Sequence, residues 1–211
     1  MIIAFQSQKG GCGKTTLALH VAHCLSLRDG PLLLVDADPQ GSARDWAAAR
    51  QDPLPFSVVG LDRPTIHRDL PDISKNYAHV IIDGPPRTTD LARSAIAAAD
   101  LVIIPVQPSP LDVWATAAVI DLIKECSVFK ENLKSAFLVN RKIVNTAIGR
   151  DVTEALAGYG LPVMKAKICQ RVAFAECIAS GQSVLETDPN GQAAKEIKSL
   201  TNELLELSKN A

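Results

Sequence analysis

Nine residues near the amino terminus, Gln8-Lys9-Gly10-Gly11-Cys12-Gly13-Lys14-Thr15-Thr16, have the types and order needed to hold a polyphosphate. Glycines let successive backbone N–H groups turn inward around phosphate oxygens, and a helix opening directly behind them adds a partial positive charge. In that arrangement the backbone of Gly10, Gly11, Cys12 and Gly13 lines the anion. Lys14 then reaches the β- and γ-phosphates, Thr15 offers its hydroxyl to Mg²⁺, and Thr16 donates to the α-phosphate. Two carboxylate motifs follow. The run Leu32-Leu33-Leu34-Val35 ends in Asp36-Ala37-Asp38-Pro39-Gln40, and Val80-Ile81-Ile82 ends in Asp83-Gly84-Pro85-Pro86. Acids at the carboxyl end of a buried parallel strand face the crevice where ligands bind. Asp83 has the apolar-strand-then-Asp form of a Walker B element and is expected to hold Mg²⁺ through water, because Mg²⁺ keeps several of its own waters. Asp36 stands near the Mg²⁺ shell or serves the bend. Cys12 is either a small tolerated residue or a thiol that the helix start and nearby lysines push toward thiolate.

Such groups act together only if strands and helices bring them to one edge. Apolar, β-rich runs recur at 2–5, 32–35, 80–82, 101–106, 136–139 and 163–168, and each reads as a strand. They are almost continuously apolar, as strands covered on both faces must be, so a parallel sheet is expected. Crossover helices then fall at 14–27, 42–49, 89–98, 113–124, 148–157, 172–179 and 193–207, the last with the stripe Ile197, Leu200, Leu204, Leu205, Leu207. The stretch 52–64 reads as an insertion carrying a small strand around Phe56, Val58 and Val59. The expected fold class is α/β: a single doubly wound, mostly parallel sheet with helices on both faces, one domain over residues 1–211.

The 211 residues suit one domain with a developed core. The longest stretch free of Asp, Glu, Lys and Arg is the 13 residues from Thr15 to Leu27, short of the roughly 18 that a membrane span requires. No signal-peptide pattern precedes the first strand, so a cytoplasmic location is expected. Five scattered cysteines without a C-x-x-C pair argue against disulfide staples, zinc and iron–sulfur ligation. The formal charge of −1 hides a gradient: residues 1–123 carry −3, residues 124–171 carry +5, and residues 172–211 carry −3. Lys124, Lys130, Lys134, Arg150, Lys165 and Lys167 of the middle segment are therefore either solvated lysines and arginines around a sheet edge or a phosphate-binding surface for nucleic acid.

The loop departs from the ordinary phosphate-loop pattern because Gln8 stands at its first position and Lys9 follows. K-G-G-x-G-K-T-T is the deviant form, and with it the chain resembles the ParA/MinD family of P-loop ATPases, most closely the short, ParF-like plasmid partition proteins. That resemblance implies ATP and Mg²⁺ as cofactors and an ATPase reaction. It implies that Lys9 is a signature lysine reaching the ATP of a partner subunit, and that Asp38 positions the attacking water. Lys9, Lys14 and Asp38 would then serve catalysis. It places Asn140, in Phe137-Leu138-Val139-Asn140-Arg141, against adenine, and puts Arg87 in a switch segment near the γ-phosphate. The implied partners are a second copy in the ATP state, nonspecific DNA in the nucleoid, and a centromere-binding protein of the ParB/ParG kind. Larger members use arginines near the penultimate helix where this chain has Ala173 and Phe174. A MinD-like role on membranes is the alternative, but residues 192–211 carry no net charge, and no membrane partner is expected.

Overall fold

A computed structural model describes residues 1–144 and 148–209, the side chains of 148–151 excepted. Six strands, β1 (Ile2–Ser7), β2 (Leu32–Asp36), β3 (Ser57–Gly60), β4 (His79–Pro86), β5 (Leu101–Val106) and β6 (Lys134–Val139), pair in the order β3-β2-β4-β1-β5-β6. All of these pairings are parallel. Period-two alternation divides the strand side chains between two cores. Ile3, Phe5, Leu34, Ile81, Ile103 and Leu138 face one layer, made by α1 (Lys14–Asp29), α2 (Ser42–Ala49), α7 (Val172–Ala179), α8 (Val184–Thr187) and α9 (Gln192–Lys209). Ala4, Val35, Ile82, Ile104 and Phe137 face the other, made by α3 (Ile66–Ile73), α4 (Asp90–Ala98), α5 (Pro110–Ser127) and α6 (Ile148–Ala157). The near-continuous apolar runs are explained: each strand is covered on both sides.

The small strand expected within 52–64 is β3, paired with β2 through Val58 opposite Leu34. Two short helices escape the sequence pattern. Helix α3 contains Pro71, which reads as a breaker, yet Ile66 and Leu70 bury against the second core. Helix α8 is four residues long and is held by a capping box in which Ser183 and Glu186 satisfy each other's backbone N–H groups.

The expected strand at 163–168 is not one. Isolated bridges tie Val163 to Phe137 and Cys169 to Lys142, and the N–H groups of Met164 and Ile168 reach β6 at 2.8 and 3.0 Å. Between them the Glu203 carboxylate of α9 accepts from the N–H groups of Lys165 and Ala166, both at 2.7 Å. A side chain thus takes donors that a ladder would have used.

The basic segment is also explained in part. Lys130 points its ammonium at the carbonyls of Ala97 and Ala98 at the end of α4, and Lys134 does the same to Leu207 and Ser208 at the end of α9. Cations at helix C-termini meet unpaired carbonyls and the negative end of the dipole. Lys124 pairs with Asp121, Lys167 donates to Thr153, and the side chain of Arg150 lies outside the described residues.

Phe137 is fully buried and meets Tyr159 edge-on at 6.3 Å. Phe137→Ala is expected to cost about 3 to 5 kcal/mol, read as a lower urea midpoint at unchanged secondary-structure content.

Candidate nucleotide site

The loop between β1 and α1 has the backbone that its glycines permit. Gly11 and Gly13 sit at φ +74° and +93°, so the N–H groups ahead of α1 form a concave, anion-accepting turn. A Cβ at Gly13 would lie 2.5 Å from the amide nitrogen of Asn140, so glycine is required there on two counts. Lys14 is 6 % exposed, folded into the base of the loop, whereas the Lys9 side chain is 38 % exposed at its rim. The Lys9 ammonium is held 3.1 Å from Asp112 on the first turn of α5.

Strand register brings the acids to the same level. Asp83 on β4 lies opposite Phe5 of β1 on one side and Asp36 of β2 on the other. The two acids serve different ends. Asp36 is fully buried and saturated: its carboxylate accepts from the N–H of Asp38 at 3.2 Å, the N–H of Arg44 at 3.0 Å and the Arg44 guanidinium at 3.4 Å. It anchors the turn into α2. Asp83 is also fully buried, yet neither of its oxygens accepts a well-formed hydrogen bond. Burial pushes its carboxyl up to about 7; Thr15 and the charge of Lys14 pull it partly back, while Asp36 and Asp38 add to the rise. A desolvated carboxylate with free lone pairs beside a threonine hydroxyl and a lysine fits a divalent cation, which would supply the missing charge. Asp83 and Thr15 are the residues that would hold it.

Asp38 borders the same cleft, but its carboxylate accepts from the N–H of Gln40 at 2.9 Å in a tight turn. Asn140 lies where the phosphate loop meets the end of β6. Its amide donates 2.7 Å to the carbonyl of Cys12 and so pins the phosphate loop to the end of β6, while the residue also lines the neighbouring cleft. Cys12 is buried at 1 % exposure, its thiol enclosed beneath the loop. Arg87 adopts φ +70° and its N–H reaches Gln8 at 3.2 Å, joining the segment after β4 to the loop.

Two clefts meet over this loop. One of about 440 Å³ is bordered by Gly10, Lys14, Thr15, Asp38 and Pro86. A larger one of about 840 Å³ runs beneath α7, past Asn140, Phe174 and Ile178. The pair has the shape of a phosphate compartment leading to a less polar one, as a nucleotide requires. Sequence reading missed the support for this second compartment. His20 on α1 donates to the carbonyl of Thr16 at 2.7 Å and accepts from the Cys177 thiol of α7 at 3.3 Å, with Phe174 edge-on at 5.2 Å. Burial lowers its pKa to about 4, so the ring stays neutral and this tautomer persists. A helical spacing of histidines facing a core carries no signal that distinguishes this role.

A parallel sheet whose central strands end in a glycine loop, a buried pair of acids and a two-part cleft defines a P-loop nucleotide-binding protein. Residues 3–184 match the model of the CobQ/CobB/MinD/ParA nucleotide-binding domain, and the chain belongs to this ParA/MinD family of ATPases, working with ATP and Mg²⁺. It is similar to maintenance of carboxysome distribution protein A of Halothiobacillus neapolitanus, 31% identical over 208 residues that cover 96% of this chain and 95% of that one. It is also similar to the sporulation initiation inhibitor protein Soj of Bacillus subtilis, 26% identical, covering 96% and 97%. An ATP complex of a McdA variant from Cyanothece shares the fold with a TM-score of 0.81 at 16% identity, covering 98% of this chain and 95% of that one.

Asp83 gives a pH test. Its folded pKa is raised, so the unfolded chain ionises first as pH climbs from about 4; the penalty grows up to about pH 7 and is constant above. In the absence of metal, Asp83→Asn is therefore expected to be more stable than wild type at pH 8 by about 2 to 4 kcal/mol, with the gap closing near pH 4. Paired thermal melts at the two pH values check this; a gap that does not depend on pH would refute it.

Proposed function

We propose that this chain is a single-domain positioning ATPase of the cytoplasm that moves cargo over nucleoid DNA, with plasmid or chromosome segments as the cargo. The observation that carries the reading is the contrast between the two loop lysines. Lys14 is buried in its own phosphate compartment, whereas Lys9 stands at the rim with one ionic partner, Asp112, positioned to be released. Beside Asp112 the apolar side chains of Leu111 and Trp114 are 62% and 66% exposed, a surface suited to a second copy. Closure of two copies would bring Lys9 of each toward the other's nucleotide.

In the cycle, each copy binds ATP on the loop of residues 9–16, with Thr15 and Asp83 holding Mg²⁺. Bound there, the cation would supply positive charge against the phosphates. Lys9 leaves Asp112 as the copies close. Asp38 exchanges the Gln40 N–H for the attacking water, and Lys14 and Lys9 stabilise the charge that builds on the transferring phosphoryl group. No strong base faces that position among the described residues, which favours slow turnover that a partner accelerates. A small adaptor protein of the centromere-binding, ParB/ParG kind would be that partner.

DNA binding draws on what remains of the basic segment. With Lys130 and Lys134 committed to helix ends and Lys167 bonded to Thr153, the exposed Lys165 is the stronger candidate on the described surface. A second cargo, a carboxysome, is favoured by the 31% identical relative named for carboxysome distribution. Membrane recruitment through the last helix is disfavoured because the apolar stripe of α9 (Ala194, Ile197, Leu200, Leu204) is buried in the first core.

Light scattering with Mg-ATP is expected to show dimers for wild type and Asp38→Ala, and monomers for Lys9→Ala. Asp38→Ala should hydrolyse no ATP, and wild type should shift DNA only with ATP, with an affinity that falls steeply as salt rises. Turnover by Asp38→Ala refutes its role, and DNA binding insensitive to ATP or salt refutes the DNA reading. ATPase rates with DNA, with a ParB/ParG-type adaptor, and with both test the partition reading: synergistic stimulation supports it, and rates unchanged by any of them count against it.

A further inference from the structure

Among the described residues only two that are not glycine have positive φ, and both are arginines beside the phosphate loop: Arg87 at 70° and Arg141 at 53°. The left-handed region costs an L side chain energy, and such residues persist where their surroundings over-determine them. At Arg141 the determinants are explicit. On one side the Asn140 N–H bonds Val106 at 2.9 Å and its amide bonds Cys12 at 2.7 Å; on the other, Lys142 exchanges bonds with Ile168 and Gln170 at 2.9 and 3.0 Å. The chain is clamped before and after, and residue 141 absorbs the turn.

Its place gives the strain a purpose. Gly13, Thr16, Arg141 and Ile178 border both clefts, and of these four Arg141 alone is charged. It is exposed and has no carboxylate within ion-pairing distance among the described residues. Arg171, on the wall of the larger cleft, is by contrast neutralised by Glu196 at 2.6 Å. A planar guanidinium offers a rigid fork of donors matched to phosphate oxygens. An unpaired one at the junction of a phosphate compartment and a base compartment faces the part of a nucleotide where the two meet.

We propose that Arg141 binds the phosphates that ATP and ADP share, acting within its own subunit as a nucleotide clamp rather than in the chemical step. The proposal rests on the nucleotide reading of the clefts and adds a binding residue that the loop motifs do not contain. Because the contact is to phosphates present before and after hydrolysis, it affects retention of both nucleotides alike.

Calorimetric titration of ATP, ADP and adenosine into wild type, Arg141→Ala, Arg141→Lys and Arg141→Gly tests it. Arg141→Ala is expected to weaken ATP and ADP by similar factors of about 10 to 100 and to leave adenosine unaffected, with Arg141→Lys in between. Arg141→Gly should lose affinity as Arg141→Ala does, yet melt no lower than wild type, because glycine takes positive φ without strain. ADP affinity in Arg141→Ala equal to wild type overturns the proposal. So does an equal loss for adenosine, which would mean a collapsed cleft, and so does intact ADP binding with lost ATP-dependent dimerisation, which would place the arginine across the subunit interface. Failure of wild type to bind either nucleotide would instead refute the reading of the clefts themselves.

Discussion

Strand β4 hydrogen-bonds to β1 on one side and to β2 on the other, and that pairing decides where the charged groups of the site can lie. The chain makes β1 and β2 first and inserts β4 between them only after an excursion through β3 and α3. Parallel register then sets Asp83 level with Phe5 and Asp36, so the segments that leave β1, β2 and β4 emerge at one edge of the sheet. Were β4 to slip by one residue, its side chains would exchange faces and Asp83 would leave the position beside Thr15 and Lys14. Ile81 in one core and Val80 and Ile82 in the other prevent that slip, so the packing of apolar residues on both sides of the sheet fixes the place of a carboxylate.

The site stores free energy that the cores must offset. Asp83 sits fully buried without hydrogen-bond partners, Lys14 is nearly as enclosed, and Arg87 and Arg141 hold left-handed backbones. Burial of the Asp83 carboxyl and positive φ at two arginines each cost the free protein stability. The neighbouring groups are in the opposite condition. Asp36 is saturated with donors, Asn140 caps the carbonyl of Cys12, and His20 bridges Thr16 and Cys177 as a neutral ring. Lys14 and Arg141 border the clefts, Asp83 lies buried behind Thr15 and Lys14, and the satisfied groups hold this arrangement in position, which is how a preorganised site is built.

The fold class and the loop were legible in the sequence because both depend on local, periodic signals: uninterrupted apolar runs bounded by turn residues, and a glycine octet that opens a helix. The small strand within 52–64 was legible from its apolar centre. What escaped depends on contacts distant in sequence. The run 163–168 has strand composition, yet Glu203 claims two of its N–H groups from nearly forty residues away. Helix α3 carries a proline that argues against it, and burial of Ile66 and Leu70 prevails. The bond from the Asn140 amide to the carbonyl of Cys12 also escapes the sequence, because the two residues lie far apart in the chain. Charge counting leaves Lys130 and Lys134 open between solvated lysines and a nucleic-acid surface, because it cannot see that two helices end beside them.

Glu203 has a consequence beyond the segment it holds. A parallel sheet with open margins invites another copy to continue it strand by strand, and here both margins are unsuited to that. Beyond β6 the chain itself runs along the ladder from Val163 to Cys169, with a carboxylate fastened over donors that an incoming strand would need. On the far side β3 offers four residues, two of them exposed at its ends. Copies that associate would then meet through side chains, at faces such as the one around the exposed Trp114, and not by extending the sheet. The sheet stays private to each subunit, and an assembly built this way can be dismantled without unfolding any part of it.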